Sequence, residues 1–522
     1  MPKRDCSSTG QSGGFLNRRL GVRFSPVPPL LLAILAAIFT FSHAFGIDLG
    51  YMLDISRGKV PPMDELRRIV DIIAPLGYTE LQLYTENTFA YTGHEAAWRD
   101  ASPLTAAQVR ELDDYATKHG VALVANQNSF GHLERWLEKP EYRYLAEAPN
   151  GGARKPWGTL TSGPTALCAT DSRSVELVAS WYDELLPCFQ SRLINIGGDE
   201  VYDLNAPDAR SASRVKEVGE EEVYLEFLSK IAAEARKRGA TPMVWADFFR
   251  KHPERIDWFK INGAVALDWG YSDAFEFDQV AARYEKAGIR YRICPGTSTW
   301  NSLSGRLGMM RRNIRRAVKA AKAHGAEGIL LTDWGDNGHL QPWLATIPAL
   351  VDLSALSRGI DLTREELARE IDSILKTHGA GELLLEYGEL HEKCGMEEDN
   401  STPIFDIMLR GRESAKFARI GESAVREVLE AWRSLPSRQE STYTSETPQW
   451  VKEDFRRMDE LYVRLENKIF HLSALHSCQE GRDFDILHIW QWKKRKKSCS
   501  SLRRSDRESP NWRSSLAKCL TI

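Results

Sequence analysis

Between residues 48 and 352 short β-branched or aliphatic runs alternate with longer stretches of helical, amphipathic periodicity, the pattern of repeated β-α units around a parallel sheet. The runs are Tyr51 to Ile55, Thr79 to Tyr84, Val121 to Asn126, Leu193 to Ile196, Met243 to Ala246, Ala264 to Leu267, Arg290 to Cys294 and Gly328 to Leu331. Helices are predicted from about Met63 to Ala74, with Asp64 and Glu65 in the first turn, from Thr105 to Gly120 and from Ser174 to Leu186. Helices rich in Ala, Arg and Lys precede the fifth and eighth runs, and a Gly/Pro-rich excursion from Pro149 to Pro164 follows the third. Eight such units over roughly 290 residues predict an α/β fold, a (β/α)8 TIM barrel. The competing open, doubly wound sheet would declare a GxGxxG or GxxxxGK[ST] loop after an early strand, and the sequence has none.

Beyond 352 the periodicity becomes wholly helical. Leu362 to Lys376, Glu382 to Cys394, Ile404 to Arg433 and Trp450 to Leu475 read as amphipathic helices of a C-terminal domain, residues 353–480, that supports the barrel. Residues 481–522 read as a basic, disordered tail: Trp490 and Trp492 precede Lys493-Lys494-Arg495-Lys496-Lys497 and a Ser/Arg-rich end. At the other end, Arg18, Arg19 and Arg23 precede an apolar run from Leu30 to Phe41, with small residues before a cleavage site after Ala44. Residues 1–44 therefore read as a secretory signal peptide of an exported protein, secreted or periplasmic; a membrane anchor is the alternative, although the run falls short of the ~20 residues that span a bilayer.

Composition narrows the classes. A chain of 522 residues, 42% hydrophobic and 27% charged, is globular, and a formal charge of −3 gives no global field to recruit nucleic acid or an anionic membrane. Eight cysteines without a CxxC pair exclude a disulfide framework and a zinc ribbon.

A barrel places its chemistry just after the C-terminal ends of its strands. Polar and aromatic residues gather there: Asp54 and Arg57, Glu86 and Asn87, Asn128 and His132, Asp199 and Glu200, Trp245 and Asp247, Asp268, Trp269 and Tyr271, Thr297 and Trp300, Asp333, Trp334 and Asp336. Any one Asp or Asn at such an exit is an ordinary helix cap. Eight exits of one character, several with Trp, instead suggest a mouth that stacks on sugar rings. In Ile194-Asn195-Ile196-Gly197-Gly198-Asp199-Glu200 two glycines permit a tight turn and deliver adjacent carboxylates, of which one stays ionised while the other holds a proton to donate. The alternative is a capping Asp with a first-turn Glu. His132, His339 and Asp333 show no HxH or HExxH spacing, which leaves a metal-dependent, amidohydrolase-like barrel as a distant alternative and implies neither metal nor cofactor.

The stretch LINIGGDEVY from Leu193 resembles the Gly-Gly-Asp-Glu signature of glycoside hydrolase family 20, the β-N-acetylhexosaminidases. MLDISRGKVP from Met52, LQLYTENTFAY from Leu81, NSFGH from Asn128, CPGTSTWNSLSGR from Cys294 and TDWGDNGH from Thr332 resemble its other strand-end segments, most of all in a shorter hexosaminidase branch. The resemblance covers about residues 48 to 350 and implies exo-acting, retaining hydrolysis in which the substrate's 2-acetamido oxygen is the nucleophile and an oxazolinium ion the intermediate. By motif position Asp199 orients the acetamido group and Glu200 is the general acid and base. Arg57 and Asp336 bind ring hydroxyls, Tyr271 contacts the acetamido carbonyl, Trp245, Trp269, Trp300 and Trp334 wall the pocket, and Glu86 and His132 complete the substrate-binding set. For His132 a packed histidine at the rim, and for Glu86 a solvated loop residue, are the alternatives; His94, on the same loop as Glu86, is left out.

The implied partner is a glycan or glycoconjugate ending in N-acetylhexosamine, with no nucleic acid and no stable membrane partner. Two departures from the family stand out. Most members carry an α/β domain ahead of the barrel, whereas few residues here separate the cleavage site from the first strand, and Asp336 stands where many members place Glu, one methylene longer. A barrel that binds amino sugars without cleaving them is the alternative function.

Overall fold

The computed structural model describes residues 47–479, so the leader read at 1–44 and the basic tail read at 481–522 lie outside the described residues. Eight parallel strands close into a barrel in sequence order: β1 Asp48–Asp54, β2 Glu80–Tyr84, β3 Ala122–Asn126, β4 Leu193–Asn195, β5 Thr241–Trp245, β6 Val265–Trp269, β7 Tyr291–Cys294 and β8 Gly328–Asp333. β1 closes the cylinder on β8, with Leu53 paired to Asp333. Every predicted run is a strand. β6 and β8 extend two residues further than predicted, because Asp268, Trp269 and Asp333 look polar or bulky in sequence yet still pair in the sheet.

Strand side chains alternate between two cores. Tyr51, Leu53, Leu81, Leu123 and Ile194 pack outward in the larger core, which helix residues such as Leu66, Ile69 and Leu112 complete, while Met52, Val124, Met243, Val265 and Leu330 fill the cylinder with Trp245 and Trp334. A buried polar layer lies among them: Gln82 donates to Glu80 at 2.7 Å and accepts from Asn126 at 2.9 Å and Asn195 at 3.3 Å, and Arg292 donates to Glu80 at 2.6 Å. Local chemistry sets the helix starts. Thr105 and Gln108 form a capping box for Ala106–Lys118, and Asp171 accepts the Arg173 N–H at the start of Ser172–Leu185.

The boundary expected at residue 352 falls inside the helix Ile347–Ser357, whose residues are almost all buried. The helices Arg364–Leu375, Ala380–Glu389, Pro403–Arg410, Ala415–Arg433 and Gln449–Gln479 follow. The single helix expected from Ile404 to Arg433 is broken twice, at Gly411 and again at Gly421, where φ is 76° and ψ 169° inside Ala415–Arg433. Gly411, at φ 64°, ends the first, and the Ser414 hydroxyl caps the second by accepting the Lys416 and Phe417 N–H groups. These helices dock on the loops after β7 and β8: Ser304 donates to the Tyr387 carbonyl at 2.6 Å, and Asp454 accepts the Leu344 N–H at 3.1 Å. No helix among the described residues is long and apolar enough to cross a membrane.

Candidate active site

The exit of β4 is built by its glycines. Asn195 Oδ1 accepts the Gly197 N–H at 3.0 Å, and Gly197 and Gly198 take φ values of 78° and 98°. A Cβ on Gly197 would overlap the Asn128 side chain, and one on Gly198 would crowd the Tyr224 hydroxyl and Val244. The turn then carries Glu200 at φ 50°, a left-handed conformation that costs an ordinary residue about 1–2 kcal/mol. Its N–H donates to Asp247 Oδ2 at 3.3 Å.

This geometry brings the two carboxylates to one imidazole. His132 Nε2 lies 3.3 Å from Asp199 Oδ2 and 3.6 Å from Glu200 Oε2. Asn128 Nδ2 donates to the other Asp199 oxygen at 3.2 Å. Asp199 is only 6% exposed, whereas the Glu200 side chain remains 28% exposed toward the mouth. Burial pulls the His132 pKa down, but the charge of Asp199 and its hydrogen bond outweigh that and push it up to about 10. Reciprocally, burial raises the Asp199 carboxyl and the His132 cation overcomes it, so Asp199 sits below the usual carboxylate range. At Asp247 the charge of Arg250 offsets only part of what raises the carboxyl. Burial first, and then the negative charge of Asp199, push it up to about 7.

A second set of contacts joins the exits of β1, β2 and β8. Arg57 Nη1 donates to Asp54 at 3.1 Å and to Asp336 at 2.8 Å, while Nη2 lies 3.4 Å from Glu86. The guanidinium also sits 5.5 Å from the Tyr84 ring and 5.3 Å from the Trp334 ring. The Tyr84 hydroxyl donates to Glu86 at 3.0 Å and accepts from Asn128 at 3.2 Å, so a chain of contacts runs from Arg57 to Asp199. On the far wall Trp334 Nε1 donates to the Tyr271 hydroxyl at 2.7 Å, Trp269 stacks on Tyr271 at 5.3 Å, and Trp300 meets Tyr271 edge-on at 5.0 Å.

All eleven sequence-predicted site residues belong to this one connected cluster, at different depths. Of the four Trp residues expected to wall the pocket, Trp245, 0% exposed, and Trp300, 1% exposed, lie beneath Trp334 and behind Tyr271. Glu86 is buried, and its Oε1 accepts the Tyr84 hydroxyl and lies 3.4 Å from Arg57 Nη2, so it helps to fix the guanidinium, while its Oε2 lies 3.9 Å from Arg135 Nε. Other exit carboxylates turn away entirely. Asp268 is bound by Arg250 at 2.6 Å and Tyr284 at 2.7 Å, and Asp333 accepts the hydroxyls of Tyr51, Thr297, Thr299 and Thr346. His94 bonds the Tyr142 hydroxyl, and His339 is buried against the Asp54 carbonyl, where burial lowers its pKa to about 4. Sequence reasoning did not assign Tyr84, Asn128, Asp247 or Tyr202 to the site. Asn128 and Asp247 carried the available signal, being strand-exit residues beside His132 and Trp245. Among the described residues no group of three or more His, Cys, Asp or Glu side chains is arranged to hold a metal ion.

Residues 49–283 match the sequence model described as glycosyl hydrolase family 20, catalytic domain. The chain is 23% identical over 315 residues to hexosaminidase D of Homo sapiens, a match covering 56% of this chain and 61% of that protein. It is 21% identical over 308 residues to hexosaminidase D of Bos taurus, covering 56% and 86%. Among solved structures, the Flavobacterium johnsoniae chitobiase superposes with a TM-score of 0.51 at 16% identity over 80% of this chain and 72% of that one, a likeness of fold.

Proposed function

Because residues 49–283 match the model of the glycosyl hydrolase family 20 catalytic domain, we propose that the barrel mouth removes terminal β-linked N-acetylhexosamine from glycans by substrate-assisted hydrolysis with retention. The observation that carries this reading is the Asp199–Glu200 pair held on His132 at the rim of an aromatic pocket. The buried, ionised Asp199 accepts the acetamido N–H and stabilises positive charge as the acetamido oxygen attacks the anomeric carbon. Glu200 gives its proton to the glycosidic oxygen as the carbon–oxygen bond breaks, leaving an oxazolinium ion. The resulting carboxylate then takes a proton from water, whose oxygen attacks the same carbon; the ring opens to the acetamide and Glu200 is again protonated.

Tyr271, its hydroxyl oriented by Trp334, donates to the acetamido carbonyl oxygen. Arg57 and Asp336, already paired at 2.8 Å, bind ring hydroxyls, the guanidinium as a fork of donors and the carboxylate as acceptor. Trp269 and Trp334 face the apolar side of the sugar. The basic and apolar leader adds export to this reading, which fractionation of expressing cells for enzyme activity tests.

The decisive experiment is release of chromophore from β-GlcNAc and β-GalNAc glycosides by the wild type and by Glu200→Gln. Wild-type release that is lost in the variant supports the assignment; equal release by both, or none by the wild type, overturns it, and binding without release would mark an amino-sugar-binding barrel. A thiazoline mimic of the cyclic intermediate is expected to inhibit, and indifference to it rules out participation of the acetamido group.

A further inference from the structure

The leaving group must depart on the side of Glu200, since that carboxyl protonates the oxygen it leaves on. On that side the chain builds an aromatic shelf. Tyr202 stands two residues beyond Glu200, and burial first, then the charges of Glu200, Asp247 and Asp199, drive its pKa upward. Trp157 meets the Tyr202 ring edge-on at 6.1 Å with an interplanar angle of 87°, and it is 59% exposed, the most exposed aromatic side chain among the large hydrophobic residues that reach the described surface.

The place of the exposed Trp157 ring is fixed by the fold. Trp157 tips a hairpin in the excursion between β3 and β4: Arg154 bridges Leu160, Lys155 N–H donates to the Thr159 carbonyl at 2.8 Å, and Gly158 N–H donates back to Lys155 at 2.9 Å. The hairpin is tied to the segment that carries Glu200. Asn205 Oδ1 accepts the Arg154 N–H at 3.1 Å, and buried Asp203 accepts the Thr165 and Ala166 N–H groups at 2.8 and 2.9 Å. Ala148, Ala153, Ala206 and Ala209 pack together beneath, with Tyr202 against them. The Lys155 ammonium lies over one face of the Trp157 ring at 5.4 Å, leaving the other for stacking, and the Lys251 ammonium lies over the Tyr202 ring at 6.0 Å.

We infer that Trp157 and Tyr202 form a subsite for the leaving group and that its occupant is a pyranose ring, so the protein acts on oligosaccharides in preference to simple glycosides. A flat, exposed indole held in register with a proton donor suits the apolar face of a sugar, and the flanking ammonium groups donate hydrogen bonds to its hydroxyls. This inference rests on the hydrolase reading above, which concerns the sugar that is retained; the shelf concerns the one that leaves.

The test compares two substrates with the same retained sugar, β-1,4-linked N,N′-diacetylchitobiose and N-acetyl-β-glucosaminyl azide, whose leaving group has no ring, on the full chain. The ratio of kcat/KM for disaccharide over azide is expected to fall about tenfold in Trp157→Ala, through KM for the disaccharide, and to be largely restored in Trp157→Phe. Equal losses on both substrates, or an unchanged ratio, overturn the shelf, and matched melting temperatures show that the variants are folded. A wild-type protein that cleaves neither compound overturns the hydrolase reading instead, and the shelf with it.

Discussion

Carboxylates stand at the ends of β4, β6 and β8, and they meet opposite fates. Asp268 and Asp333 are saturated, the first by Arg250 and Tyr284, the second by four hydroxyl donors. Asp199 and Glu200 share one imidazole between them, and Glu200 keeps a face to the mouth. Residue type and position in the barrel are alike in the two regions. What separates a tie from a reactive group is how many donors already occupy its oxygens.

The comparison breaks most visibly at Glu200. Replacing it by Gln is expected to cost about 10²–10⁴ in kcat, read with chromogenic glycosides, while leaving the melting temperature nearly unchanged. Asp268→Ala should do the reverse. It leaves Arg250 and the Tyr284 hydroxyl without their acceptor, so denaturant titration should show a loss of about 3–5 kcal/mol in unfolding free energy, and a loss within experimental error would mean that Asp268 is no tie.

The contrast sharpens with pH. His132 titrates near 6.5 when unfolded and near 10 in the fold, so its stabilisation is complete below about 6.5 and is lost as pH climbs toward 10. Wild-type melting temperature should therefore fall more steeply across that window than that of His132→Gln. Asp247 carries the same sign in a lower window. Its folded pKa of about 7 lies above the ordinary 3.8, so the native protein holds a proton that the unfolded chain releases, and Asp247→Asn should gain on the wild type as pH rises from 4 to 7. The smallest effect is expected at half-buried Asp336: lengthening it to Glu should leave stability nearly unchanged and shift the β-GlcNAc to β-GalNAc ratio of kcat/KM by about threefold, within the range that a repositioned hydroxyl contact supplies.

The barrel was legible in the sequence because each strand is a buried run bounded by turn residues and separated from the next by a helix-period stretch. The reactive pair was legible because Gly197 and Gly198 announce a turn that only glycine makes. Depth was not. Whether Trp245 lies under Trp334 or beside it depends on strand tilt and on which residues share a layer, and neither leaves a mark in a linear pattern. The fate of Asp333 was hidden for a related reason: its donors Tyr51, Thr297, Thr299 and Thr346 come from four separate places along the chain. In the helical region the breaks at Gly411 and Gly421 each rest on a single glycine inside an amphipathic pattern, the weakest kind of break signal.

Arg306 binds the end of the chain's fold to its chemistry. Its buried guanidinium donates to the carbonyls of Ser298, Glu398 and Asp399 and lies 5.1 Å from the Trp300 ring, which in turn braces Tyr271. A gene trimmed after Ser357 to yield a minimal barrel would remove two of the carbonyls that hold that cation and slacken the indole behind Tyr271. The later helices, far from the reacting bond in sequence, thus act as a buttress, and shortening this protein from that side would dismantle its pocket from behind.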